Sequence, residues 1–131
     1  MKKDIVIPKV KGVYIAVVQE HNKIYDTLDW NAYIINDKEV DLEMVLIVTS
    51  GYSKDKITST FRKKLDRLPK KSYAKIELLQ EELFSLNNTF KVTFFEDNTM
   101  YDKNYVFREN TINKKALQPI PLINVKGILA K

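Results

Sequence analysis

Cysteine is absent from this chain, histidine occurs once (His21), and the 131 residues include only three glycines and four prolines. Each scarcity removes a class of chemistry. Without cysteine there is no disulfide and no thiolate metal site. A single histidine leaves no histidine pair for a metal, and no serine stands in a nucleophile-elbow context beside it. Gly12, Gly51 and Gly127 are isolated from one another, which excludes a glycine-rich phosphate loop of the Walker type. Long apolar runs are missing too. Met1-Lys2-Lys3-Asp4-Ile5-Val6-Ile7-Pro8 is basic, but its apolar run is too short for a signal peptide. No later stretch approaches the length of a membrane span. The expectation is a soluble cytoplasmic protein with no cofactor, no catalytic residue and no metal site.

What is present is a strong β pattern on a chain of one-domain size. Such a chain buries roughly two-thirds of the surface its unfolded form exposes, so no staple is needed. Val13 to Glu20 is apolar on both faces, with Val13, Ile15 and Val17 on one and Tyr14, Ala16 and Val18 on the other. That predicts a strand covered on both sides or an oligomer contact. Trp30 to Ile35 and Leu42 to Thr49 follow, the second with Leu42, Met44, Leu46 and Val48 on one face. Ile57 to Lys63 is more polar and suits an edge, where lysine and arginine deter unwanted pairing. Tyr73 to Leu79 alternates, with Ala74, Ile76 and Leu78 on one side. Phe90 to Phe95 and Tyr101 to Arg108 form a hairpin about Asp97-Asn98, two residue types that tolerate positive φ. That register sets Phe94 opposite Tyr101 and Phe90 opposite Tyr105. It also sets Lys103 opposite inward-facing Val92, which requires a bulge or a different register.

Residues 74–86 carry two periods. Ile76, Leu79, Leu83 and Leu86 have helical spacing. A strand to Leu79 and a helical turn over Glu81 to Leu86, forming a corner between sheets, is preferred. A short helix is expected over Asn110 to Leu117, capped by Asn110. The prolines of Gln118-Pro119-Ile120-Pro121-Leu122-Ile123 make that stretch extended and exclude it from a central strand. The expected fold is all-β: one antiparallel β-sandwich domain of about seven strands over residues 1–131. It is immunoglobulin- or fibronectin-like, with a short helical turn and residues 110–131 as a packed C-terminal extension. A small closed barrel is the alternative.

The net charge is +5 and unevenly spread. Lys54 to Lys75 holds nine basic residues against two acids, whereas Glu20 to Glu43 holds seven acids against two lysines. The densest basic run supplies candidate nucleic-acid contacts at Arg62, Lys63, Lys64, Arg67, Lys70 and Lys71. Phosphate binding needs cations gathered on one surface, and base stacking needs aromatics beside them, here Phe61 and Tyr73. No RNP1-like aromatic motif, KH-type loop or zinc knuckle accompanies them. A solvated basic face that keeps the protein soluble is the preferred reading of the run. Asp37, Glu39, Asp41 and Glu43 recur at every second residue. They lack the glycine and terminal glutamate of a calcium loop, so they are read as an acidic loop. His21 is expected exposed in a loop. Trp30, Tyr33, Tyr52 and Tyr105 are expected in core or rim, with a ligand surface as the alternative.

The apolar tail from Leu117 to Ala130 must pack on its own sandwich or along a partner's edge. Candidate interface residues are accordingly Val13, Ile15 and Val17 with Ile120, Leu122 and Ile123. The runs Gly12 to Val18, Leu42 to Leu46, Ser72 to Leu78 and Asn110 to Asn113, with the ending Pro119-Ile120-Pro121-Leu122, resemble a family of small uncharacterised bacterial proteins of about this length. Some of its members are labelled phenylalanyl-tRNA synthetase alpha subunit. The resemblance implies one intact domain. It carries over no functional residue, since none is established for the family, and the arginine-bearing class II motifs and glycine-rich substrate strands of a synthetase have no counterpart here. The expected role is a non-enzymatic interaction module that binds a protein or a second copy of itself, with nucleic acid as the alternative partner and no membrane partner.

Overall fold

The computed structural model describes residues 9–131. The stretch Met1 to Pro8, read above as basic and too short for a signal peptide, lies outside the described residues. The described residues form eight strands: β1 (Val13–Asn22), β2 (Thr27–Asn36), β3 (Leu42–Tyr52), β4 (Phe61–Leu68), β5 (Ser72–Leu79), β6 (Asn87–Glu96), β7 (Thr99–Phe107) and β8 (Gly127–Leu129). They make two four-stranded antiparallel sheets, ordered β5-β2-β1-β8 and β4-β3-β6-β7. The two sheets pack face to face as a sandwich. Ile15, Val17, Ala32 and Ile34 from the first meet Val45, Ile47, Phe90, Val92 and Phe94 from the second in one buried cluster. Alternation of side chains along each strand places these residues inward.

The β6–β7 hairpin has the predicted pairing. Phe94 stacks on Tyr101 with centroids 5.2 Å apart, and Phe90 pairs with Tyr105. Asp97 and Asn98 take positive φ values of 49° and 63°, as a mirror-image hairpin turn demands. Lys103 does lie opposite Val92, and no bulge separates them. Because β7 is an edge strand, Lys103 stays exposed, and its ammonium lies 4.8 Å from the Tyr105 ring centroid. Tyr105 is buried, and its hydroxyl donates to the Val13 carbonyl of the opposite sheet.

Bulges overturn two predicted faces. In β3 the apolar face is Leu42, Val45 and Ile47, not Leu42, Met44, Leu46 and Val48. Between Glu43 and Leu46 the pairing with β6 slips by one residue, and Met44 takes φ 49°. One inserted residue sends every later side chain to the other face. In β5 a slip opposite Ala32/Tyr33 does the same. Leu79 turns inward and Leu78 outward, and Glu77 faces the other sheet.

Residues 74–86 are strand β5 followed by a 3-10 turn at Glu81–Ser85, the preferred alternative. Buried Asn88 holds that corner by donating to the carbonyls of Leu83 and Leu86. The helix expected over Asn110 to Leu117 shrinks to a 3-10 turn at Lys114–Ala116. Its cap is Asn113, which accepts from the Lys115 N–H at 3.0 Å, while Asn110 sits in a turn at φ 61°. The C-terminal segment then crosses the outer face of the first sheet. Ile120 and Ile123 cover Ala16, Val18 and Ile35, which explains why β1 is apolar on both faces.

Candidate interaction surface

Strand β4 begins at Phe61 rather than Ile57; it lies at the sheet edge, as a polar strand should. Its position divides the basic run. Pairing with β3 sets Arg62 opposite Val48 and Lys64 opposite Leu46, both on the outer face. Lys63 lies opposite buried Ile47, on the inner side of the edge. Lys70 and Lys71 fall in the turn between β4 and β5.

That turn meets the acidic stretch. The Lys71 ammonium lies 3.0 Å from the Asp37 carboxylate and 3.3 Å from that of Glu39. Hydrogen bonding to Asp37, and then to Glu39, holds the Lys71 pKa above the usual lysine value. Asp41 accepts from the Lys70 backbone N–H at 2.8 Å and lies 3.8 Å from Arg67. Lys38 pairs with Glu96. Fully buried Asn36 ties the two turns together. Its amide nitrogen lies 2.9 Å from the Val40 carbonyl oxygen and 3.1 Å from those of Leu68 and Pro69. Much of the sequence-separated charge is therefore matched within the molecule, and Lys71 and Arg67 are committed to it.

The cations left on one surface are Arg62, Lys64 and, from β6, Lys91. Among the described residues no carboxylate lies within 4.0 Å of any of the three. They flank an apolar band on the outer face of the second sheet. Lys91 is the neighbour of Val48 on the side away from Arg62. Next along the sheet come Leu46 and Met44, 38% and 60% exposed, and then Met100, 53% exposed, beside Phe95. Two carboxylates share this face: Glu43 lies directly beside Phe95 within the band, and Asp102 lies beside Thr93 on β7. Sequence reading missed the band because the bulge at Met44 decides which β3 residues face out.

The predicted interface residues lie elsewhere. Val13, Ile15 and Val17 are buried between the sheets, so they contact their own sandwich and offer no exposed patch. Ile123 is buried and Ile120 half-buried on the first sheet. Leu122 is half-exposed with φ 64°.

The remaining candidates are scattered. His21 falls inside β1 rather than in a loop, and its exposed ring donates to the Asp26 carboxylate at 2.8 Å across the β1–β2 turn. Trp30 packs edge-on against Phe84 in the core. Tyr33 donates to Glu20 at 2.7 Å and lies edge-on to Tyr73, and burial with that bond raises its pKa. Tyr52 is exposed at the end of β3. These aromatics do not converge on one surface. Phe61 and Tyr73, proposed as stacking partners for the basic run, stand on different sheets.

No family model, no curated protein and no solved structure matches this chain.

Proposed function

We propose that this protein is a non-enzymatic interaction module that binds an acidic, apolar-bearing protein segment on the outer face of the β4-β3-β6-β7 sheet. The observation that carries this reading is the contrast between the two outer faces. The chain's own C-terminal segment covers the centre of the first sheet's face over Ala16, Val18 and Ile35, leaving Tyr73 and Leu78 of β5 exposed; the second presents Met44, Leu46, Val48, Phe95 and Met100 beside Arg62, Lys64 and Lys91. An apolar patch with a charged rim is the composition of a partner surface, and unpaired cations select an anionic partner. A nucleic-acid partner is disfavoured because Phe95 is the one aromatic in this band and is half-buried, whereas strand-binding surfaces offer several exposed rings.

Topology supports a scaffold role. The β1, β2, β5 group and the β3, β4, β6, β7 group occupy the places of strands A, B, E and C, C′, F, G in an immunoglobulin- or fibronectin-like sandwich, with β8 added beside β1. Such sandwiches commonly serve recognition, an argument from analogy. Kinship with the small bacterial family is compatible with this proposal, since three of the resembling runs fall on β1, β3 and β5 and the other two on the C-terminal segment that packs on the same sandwich. A cytoplasmic setting belongs to the same proposal and is supported by the absence of cysteine.

The test is a titration of the isotope-labelled protein, followed by NMR, with a peptide of interspersed aspartate, leucine and phenylalanine. Amide shifts are expected at Leu46, Val48, Lys91 and Thr93, and are lost when Arg62, Lys64 and Lys91 are all changed to glutamate. Labelled tRNA and single-stranded DNA are expected not to bind at physiological salt. Nucleic-acid binding that survives physiological salt and vanishes in the triple variant overturns the proposal in favour of a nucleic-acid binder. Peptide shifts that map away from this face also overturn it.

A further inference from the structure

Strands β4 and β5 belong to opposite sheets and are joined by the tight Pro69–Lys71 turn. They diverge from it, and where Phe61 and Leu79 stand apart a cleft of about 290 Å³ opens between the sheets. Leu79, Leu83 and Phe90 give it an apolar floor. Thr49, Thr58, Ser59 and Thr60 line its walls with hydroxyl-bearing residues, while the Thr89 hydroxyl is held by Ser50 at 3.1 Å. The Thr58 wall is pinned to β3, since the Gly51 N–H donates to the Thr58 hydroxyl at 2.8 Å and the Thr58 N–H donates to the Gly51 carbonyl at 2.8 Å.

One charged group reaches this space. The bulge in β5 turns Glu77 toward the second sheet, where its carboxylate accepts from the buried Thr49 hydroxyl at 2.8 Å. Among the described residues no lysine, arginine or histidine nitrogen lies within 4.0 Å of it. A half-buried carboxylate with a hydroxyl as its sole partner is a costly arrangement, because desolvation disfavours the charged form. Burial accordingly raises the Glu77 pKa above the ordinary value of 4.5, with the Thr49 bond opposing that shift. An apolar pocket with a few convergent polar groups and one perturbed carboxylate is the pattern of a small-ligand site.

We infer that this cleft binds a small primary ammonium compound carrying one apolar ring or short chain, with Glu77 as the counter-ion and the threonine hydroxyls as further acceptors. An ammonium has three N–H donors and needs acceptors converging from several sides, which Glu77 with the Ser and Thr oxygens supplies. Pairing in a partly desolvated cleft is stronger than in water, so a single carboxylate suffices for selectivity between cations and anions. The volume limits the apolar part to about one ring, at the small end of the usual ligand-pocket range.

The probes are 2-phenylethylamine and its anionic counterpart of similar shape, 3-phenylpropionate, each titrated into the labelled full chain and followed by amide shifts. The amine is expected to shift Thr49, Thr58, Glu77 and Phe90 with a Kd no weaker than about 10 mM, near the weak limit of measurable affinity. The carboxylate probe is expected to leave them unmoved. Glu77→Gln should weaken amine binding at least tenfold. Affinity of the unmodified protein should fall as pH is lowered through the raised Glu77 pKa, because only the ionised form attracts the ammonium. The folded state binds this proton more tightly than the unfolded chain, so Glu77 lowers stability as pH rises from about 4.5 upward. Glu77→Gln is therefore expected to remain folded and to melt no lower than the parent at pH 7. Should that variant fail to fold, the comparison of amine with carboxylate on the parent protein decides alone. Equal binding of the two probes, shifts outside the cleft, or no shifts with the amine at about 10 mM overturns the inference. None of these outcomes bears on the sheet face proposed above, which lies on the opposite side of β3.

Discussion

Asn36 shows how much of this fold rests on single polar side chains. It is fully buried, donates toward three backbone carbonyls and accepts from the Lys38 N–H at 3.0 Å. No apolar residue can replace those bonds. Asn36→Ala is expected to cost about 2–3 kcal/mol, the penalty for leaving buried carbonyls unpaired, and urea denaturation measures it. Asn36→Asp discriminates further. An ionised aspartate donates nothing to a carbonyl, so this variant should be least stable at pH 7 and recover part of the loss near pH 3, where protonation restores one donor. A loss for Asn36→Asp that is independent of pH would show that the side chain acts through packing alone. Nothing in the sequence marks Asn36: an asparagine at the end of an apolar run reads as a turn residue, and two of its three carbonyl partners lie more than thirty positions away. The same limit hid Glu77. Alternation along β5 assigned it to the solvent face, and one slipped residue reversed that.

Elements were more legible than faces. The hairpin register about Asp97-Asn98, the β5 strand with its corner turn, and the edge character of β4 all followed from local pattern, because each depends on neighbours close in sequence. Bulges escaped, since Met44 is not a residue type that announces positive φ. The lysine that contradicted the hairpin register turns out to be informative. Lys103 and Lys63 each stand on the inner side of an edge strand of the second sheet, opposite Val92 and Ile47. Inward charges at both edges of one sheet guard it against adding a further strand, since a paired strand would bury them. Replacing both, Lys63→Val with Lys103→Val, is expected to leave the melting temperature unchanged or higher while producing dimers or larger species in sedimentation velocity. A double variant that stays monomeric at the highest soluble concentration would remove the guarding role.

At the scale of the whole molecule, the open question in the sequence was where an apolar tail goes, and the answer sets which face remains for a partner. The tail's route depends on β8, which is three residues long and docks through a close approach. Gly127 exchanges backbone hydrogen bonds with Gln118 at 2.8 and 2.9 Å, and the Ala130 N–H donates to the Ile15 carbonyl at 2.9 Å. The end of the chain also bridges the sheets, through paired bonds between Lys131 and Val106 of β7. A Cβ at position 127 would lie 2.8 Å from both the Val17 carbonyl oxygen and the Val18 side chain. The carbonyl belongs to a central strand and cannot yield, so an added methyl must push β8 away. Gly127→Ala is therefore expected to destabilise by about 2 kcal/mol or more, in the range of overpacking. It should also loosen Ile120 and Ile123 from Ala16, Val18 and Ile35, which dye binding to newly exposed apolar surface would report. Leu122→Gly is the control in the same segment. Its position is half-exposed at φ 64°, a conformation that costs leucine but not glycine, so this variant should lose no stability and bind no dye. Were Gly127→Ala as stable as the parent, with no added dye binding, the tail would not be what covers the first sheet, and the contrast between the two outer faces that directs a partner to the second would fall with it.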